Sequence, residues 1–186
     1  MSGSIVTRDG QMPKDHSGAC GHSCKMSVQT TLQANCDTDQ IIPARYLQKP
    51  RSDNFGAYVF ADSRLGKDGA PAPELPFNQQ AYASAKIVVA ERNFGCGSSR
   101  EHAVWALYDY GMRAVIAPSF GDIFKNNSLK NGLLPIELPE EVVTGLIAGL
   151  LANPGTAVTV DLPAQTVTLP DGSGHAFEKG YGADRS

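Results

Sequence analysis

The stretch Gly95-Cys96-Gly97-Ser98-Ser99-Arg100-Glu101-His102 gathers two hydroxyls, a guanidinium, a carboxylate and an imidazole in eight residues. Glycines on either side of Cys96 allow a sharp turn and a close approach by a ligand. Ser98 and Glu101 have the spacing of a capping box, which predicts a helix starting near Ser98. The free amides of Ser99, Arg100 and Glu101 would then face an anion. A serine cap also stabilises a helix by about 1 kcal/mol with no chemistry attached. Arg100 adds weight to the anion reading, because a helix start is already positive and disfavours a cation. Ser98 is a candidate base, but the helix dipole supplies at most about 2 kcal/mol, roughly 1.5 pH units. An aliphatic hydroxyl therefore also needs Arg100, exclusion of water and a metal-bound substrate close by. A Ser-His-Asp triad is not indicated. His102 lies on the same predicted helix, where packing is the simpler role, and no nucleophile-elbow order is present.

The elements that must hold this stretch can be read around it. Ile87 to Ala90 is a short apolar strand, buried on both faces. A helix from about Ser99 to Tyr110 follows, with Gly111 placed to end it in a left-handed conformation. Ala114 to Ala117 is the next strand and Phe120 to Lys130 the next helix. Leu133 to Leu138 is again a strand, and a helix runs from Pro139 to about Leu151, stopped by Asn153-Pro154-Gly155. This alternation predicts an α/β fold with parallel strands. Val28, Thr30 and Leu32 alternate with polar residues as in a strand. Val158–Val160 and Val167–Leu169 form a terminal hairpin, so antiparallel pieces complete the sheet. Asn35 to Asp39 reads as a turn, with a short helix around Pro43 to Leu47.

Residues 1–26 are expected to form a flexible tail, 27–178 one domain with a long loop at 48–82, and 179–186 a polar C-terminal tail. The tail contains His16, Cys20, His22 and Cys24, which invite a metal. Structural zinc sites, however, usually draw ligands from two separated knuckles, so no metal site is expected. The chain has 186 residues, 41% of them hydrophobic, enough to bury a core without disulfides. Its cysteines at 20, 24, 36 and 96 form no disulfide framework. Net charge is −3 with no basic block, which argues against a nucleic-acid partner. No apolar run approaches the roughly 20 residues of a membrane span. No secretory leader is apparent, and a cytoplasmic location is expected.

Three ordered motifs carry a resemblance: Asn35-Cys36-Asp37-Thr38-Asp39-Gln40-Ile41-Ile42-Pro43, Gly95 to Ala103, and Ala117 to Asn127 followed by Asn131-Gly132-Leu133-Leu134-Pro135. Over roughly residues 33–178 the chain resembles the swivelling-domain family of the aconitase superfamily, and in it the small subunits of isopropylmalate isomerases. The resemblance implies an α/β swivelling domain of the β/β/α type that closes over an iron–sulfur large subunit. It implies a hydro-lyase of leucine biosynthesis, converting 2-isopropylmalate to 3-isopropylmalate by loss and return of water.

The same resemblance implies the roles. Ser98 is the base for the carbon-bound proton, and Asp39 orients a basic or hydroxyl partner beside it. Arg100 grips a substrate carboxylate, with Ser99, Gly97 and the helix amides around it. Arg51 is a second carboxylate ligand. Tyr46, Leu47, Gln48 and Lys49 fall in the substrate-discriminating loop. No cofactor belongs to this chain; the [4Fe–4S] cluster is expected in the partner, because Cys20, Cys24, Cys36 and Cys96 do not match a cluster-ligand set. Two alternatives stay open: a related hydro-lyase for citramalate or homoaconitate-like acids, and a non-catalytic module that binds anions for docking. Relatives continue past His175-Ala176-Phe177 with a helical segment, where this chain has a polar end.

Overall fold

The computed structural model describes residues 23–30, 34–66 and 68–178. A seven-stranded sheet with order β4-β3-β2-β1-β5-β6-β7 forms the middle layer. Its parallel half comprises β1 (Ser23–Thr30), β2 (Ile87–Val89), β3 (Ala114–Ala117) and β4 (Leu134–Glu137). β5 (Ala157–Asp161), β6 (Thr166–Thr168) and β7 (Gly174–Ala176) extend it antiparallel from β1. The α/β class with antiparallel completion is therefore as expected.

The central strands are apolar without interruption because both faces are covered. Val88, Ala90, Val115 and Ala117 enter one core, beneath α3 (Glu101–Tyr110), α4 (Asp122–Lys130) and the 36–85 segment. Ile87, Val89, Ala114 and Ile116 enter the other, beneath α5 (Glu140–Ala152). Pro135 is tolerated in β4 because that strand is an edge. No helix among the described residues is long and apolar enough to cross a membrane.

Two boundaries differ from the sequence reading. Strand β1 begins at Ser23, inside the expected tail, and pairs Ser23↔Asp161 through Ser27↔Ala157 with β5. Backbone pairing needs no apolar side chain, so composition alone missed it. Residues 48–82 are not an open loop. They hold 3₁₀ turns at Phe55–Tyr58, Pro76–Asn78 and Gln80–Tyr82 and the single-turn helix α2 (Ala61–Arg64). They also bury Phe55, Val59, Phe60, Phe77 and Tyr82. Their Pro, Gly and Asp residues suit turns, and single aromatics between those turns do the anchoring. Residues 1–22 and 179–186, with His16, Cys20 and His22, lie outside the described residues, as does Leu32.

Candidate active site

Three chain segments meet at the start of α3. Residues 35–38 lie alongside 92–98. The Asn35 amide donates to the Arg92 carbonyl (3.0 Å), Gly95 to Cys36 (2.7 Å) and Thr38 to Cys96 (3.0 Å). Side chains add to this: Asn93 Nδ2 donates to Asn35 Oδ1 at 2.9 Å, and Thr38 Oγ1 to the Ser98 carbonyl at 3.0 Å. On the other side, Phe94 donates to the Ser119 carbonyl and Gly121 to the Phe94 carbonyl. Gly95 has φ +71, and a Cβ there would lie 2.2 Å from the Phe124 ring. A Cβ on Gly121 would lie 2.6 Å from the Gly95 carbonyl oxygen. The glycines thus let three loops share one small volume.

The capping box forms, but not where the spacing put it. It closes at Asp37, whose Oδ1 accepts the Gln40 amide at 2.8 Å while Gln40 Oε1 accepts the Asp37 amide at 2.9 Å. That box starts the short helix α1 (Thr38–Ile41) and accounts for Asp37 as a turn former. Helix α3 begins at Glu101, with Arg100 as an N-cap that makes no side-chain capping bond. Ser98 is therefore not a cap, and this corrects the sequence reading. Its carbonyl instead accepts a hydrogen bond from Thr38 Oγ1. Glu101 does not reach back either; Asn131 Nδ2 donates to it at 2.7 Å, and Asn131 Oδ1 accepts the Trp105 indole N–H at 3.1 Å.

This geometry leaves Gly97 (φ +88), Ser98 and Ser99 exposed. Among the described residues neither serine hydroxyl has a hydrogen-bond partner. Arg100 folds beside them and pairs directly with Asp39, from the first turn of α1. The Arg100 side chain is 17% exposed and that of Asp39 48%, so the cation is sheltered and the anion faces solvent. Ser98, Ser99, Arg100, Gly97 and Asp39 are thereby brought to one rim. Asp39 meets the guanidinium through Nη1 alone, so an incoming carboxylate that engages the fork bidentately can compete with it.

Arg51 is placed differently. Its Nη1 and Nη2 donate to Asp109 Oδ2 and Oδ1 at 2.8 and 3.1 Å. Its guanidinium lies 5.0 Å over the Trp105 ring. The free carboxylate ligand expected at this position is already paired within the chain. Tyr46 stacks on Tyr58 with centroids 4.3 Å apart, Leu47 packs on the core, and Gln48 and Lys49 are exposed. His102 packs at a tilt against Trp105 (4.6 Å) and edge-to-face against Phe55 (5.5 Å), the packing role expected of it. Its pKa is pushed down by burial and by Arg100 and Arg51, against the opposing pull of Glu101 and the Leu47 carbonyl.

No group of three or more metal-ligating side chains occurs among the described residues. Cys36 is buried, and burial first, then Asp37 and Cys96, pushes its thiol up to about 12. That is the wrong direction for a thiolate ligand. Cys96 donates weakly to the Asn35 carbonyl at 3.4 Å. These residues do not fit an iron–sulfur cluster. A wide cleft between α4 and β7, lined by Asp122, Lys125, Asn126 and Glu137, includes none of the rim residues.

Sequence reasoning missed Thr38, Asn131 and Asp109. Thr38 and Asn131 stood inside quoted motifs, but their work is to hold other loops, which no local pattern announces. Asp109 did leave a signal: a carboxylate in the last turn of a helix opposes the dipole and needs a partner.

Comparison with known proteins fits this geometry. Residues 23–141 match the aconitase C-terminal domain family and residues 146–178 the LeuD_N family. The 3-isopropylmalate dehydratase small subunit of Rhodospirillum centenum is 54% identical over 83% of this chain and 78% of its own length. The protein of the same name from Chloroflexus aurantiacus is 54% identical over 74% and 69%. The crystal structure of 3-isopropylmalate dehydratase (LeuD) from Methanocaldococcus jannaschii superposes with a TM-score of 0.62 at 28% identity, covering 87% of this chain and 85% of that one.

Proposed function

The chain belongs to the aconitase C-terminal domain family and, within it, to the 3-isopropylmalate dehydratase small subunits; from that membership we propose that its Ser98 rim supplies the proton-handling and carboxylate-gripping half of a shared active site. It is a hydro-lyase subunit of leucine biosynthesis. The partner is a large subunit that carries the iron–sulfur cluster, and the assembly works in the cytoplasm. The substrate is 2-isopropylmalate.

Isomerisation removes the hydroxyl from C2 and a proton from C3, then returns hydrogen to C2 and hydroxyl to C3. Arg100 takes one substrate carboxylate bidentately, in the place Asp39 fills in the free chain. Ser99 adds a hydroxyl donor from the same turn. Asp39, so displaced, is left to orient a neighbouring hydroxyl partner. Ser98 Oγ takes the C3 proton and delivers one to C2. Its hydroxyl is exposed and two residues from Arg100. The positive end of α3 and Arg100 both favour its alkoxide. Closure against the large subunit must supply the rest, by excluding water and strengthening those fields.

The observation that carries this reading is the Arg100–Asp39 pair beside two serine hydroxyls that have no partner among the described residues, on an exposed rim. The test is Ser98→Ala in the complex with the large subunit. Turnover of 2-isopropylmalate should fall by about 10³, within the range for loss of a general base, while assembly and substrate affinity persist. A fall of less than threefold would mean a docking module instead.

A further inference from the structure

We propose that Asp109 is the positioning residue for the substrate-discriminating loop, acting through Arg51 and the Phe55 amide, and so governs which alkyl group the site accepts. This rests on the reading of 46–49 as that loop.

Asp109 sits in the last turn of α3, at the negative end of the helix, where a carboxylate is disfavoured. It is nonetheless largely sheltered, its side chain 16% exposed, and both its oxygens are engaged. Oδ2 accepts from Arg51 Nη1 at 2.8 Å and from the Phe55 amide at 3.2 Å; Oδ1 accepts from Arg51 Nη2 at 3.1 Å. The Phe55 ring is fully buried. A Cβ on Gly56 would lie 2.5 Å from the Tyr110 backbone nitrogen, so residues 54–56 rest directly on the helix end.

The loop is therefore a short span fixed at both ends. Tyr46 is held by its stack on Tyr58, and Arg51 by Asp109 and the Trp105 face. Exposed Gln48 and Lys49 lie between. Helix α3 carries the second anchor at one end and Arg100 at the other, so it sets the distance from the loop to the carboxylate grip. A misplacement of about 1 Å in such a constellation is felt in turnover and selectivity.

The test uses the assembled enzyme with Asp109→Asn, Arg51→Met and the double variant. Two readouts apply: kcat and KM for malates carrying a C2 isopropyl or C2 methyl group, and hydrogen exchange at the Phe55 amide in the free chain. Asp109→Asn should reduce the isopropyl-to-methyl preference by about tenfold, the worth of a pocket contact of methylene size. The change should come mainly through KM. Phe55 exchange should speed up, and the double variant should be no worse than the singles. An unchanged preference in an active variant overturns the inference, as does a uniform loss on both substrates. If Asp109→Asn fails to assemble, Arg51→Met decides by the same ratio with α3 unaltered. A wild-type assembly that turns over neither malate refutes the proposed function, while Phe55 exchange still decides the anchor.

Discussion

Helix α3 carries an arginine where its dipole favours an anion and an aspartate where it favours a cation, and its two ends answer that conflict differently. At the first end Arg100 is met by Asp39, whose side chain is exposed and belongs to a one-turn helix. No capping bond forms, and the neighbouring serines are free among the described residues. At the second end Asp109 accepts three hydrogen bonds, Arg51 lies over Trp105, and Gly56 lets backbone meet backbone. On the proposed reading one Arg–Asp pair is replaceable by a ligand, whereas the other is built into the fold. The difference lies in what surrounds the pair, since the two partners are chemically the same.

The largest effect should come at the replaceable end. Arg100→Met in the assembled enzyme should lower kcat/KM by about 10², the worth of a charge-assisted bond near 3 kcal/mol. The unfolding midpoint of the isolated chain should move little, because a partly exposed ion pair contributes at most about 1 kcal/mol. Steady-state kinetics and urea unfolding on the same preparation check both halves. A large stability loss would erase the distinction between the ends.

The built-in end should show the reverse. Gly56→Ala must place a Cβ 2.5 Å from the Tyr110 nitrogen, with backbone on both sides and no side chain able to move away. Overpacking of this kind costs about 1–3 kcal/mol. Gly97→Ala, at the site end, meets only Asp37 Cβ at 3.4 Å and adds the strain of φ +88, about 1–2 kcal/mol. Urea titration should rank Gly56→Ala as more damaging to stability, while Gly97→Ala should be more damaging to turnover.

Cys36 gives a pH test of the loop that holds Asp39. Its thiol is raised from an ordinary 9.0 to about 12 in the folded chain. Between those values the unfolded chain loses the proton and the folded chain keeps it, so stability falls as pH rises through that window. Three pH units correspond to a ceiling of about 4 kcal/mol. Cys36→Ala should flatten the stability curve above pH 9, as thermal melts at pH 8 and 10.5 would reveal.

How far the sequence foretold this contrast depends on what kind of force acts. The parallel strands were legible because Ile87–Val89 and Ala114–Ala117 are apolar on both faces. Helix α5 was legible because Pro139 and Asn153-Pro154-Gly155 bracket it. The box at Ser98 and Glu101 was misread because a spacing rule cannot see Thr38, sixty positions earlier in the chain, donating to the Ser98 carbonyl. The pairing of Arg51 with Asp109 was illegible for the same reason: the two lie fifty-eight positions apart. β1 escaped at Ser23 because its pairing with β5 is made by backbone atoms. Residue types in motifs revealed which groups gather at the rim; only long-range hydrogen bonds decide which of them are left free.

The smallest expected effect tests whether the two ends communicate. His102 lies one residue into α3, and its ring touches both Phe55 and Trp105. Its pKa is held below the ordinary 6.5 chiefly by burial. Under acid the unfolded chain therefore binds a proton before the folded chain does. Stability from this residue is complete above pH 6.5 and is lost as pH falls through the lowered folded value. The ring is partly exposed, so solvent screening keeps the loss small. His102→Phe retains a ring between Phe55 and Trp105 and removes the titration. The drop in melting temperature from pH 7.5 to pH 5 should then be smaller than in the unaltered chain. Protonated His102 is also repelled by Arg100 and Arg51 together, so acid strains the replaceable and the built-in pair at once. Substrate preference should therefore relax at pH 5 in the unaltered enzyme and stay constant in His102→Phe. A preference that drifts equally in both would show that each end of α3 responds to acid on its own.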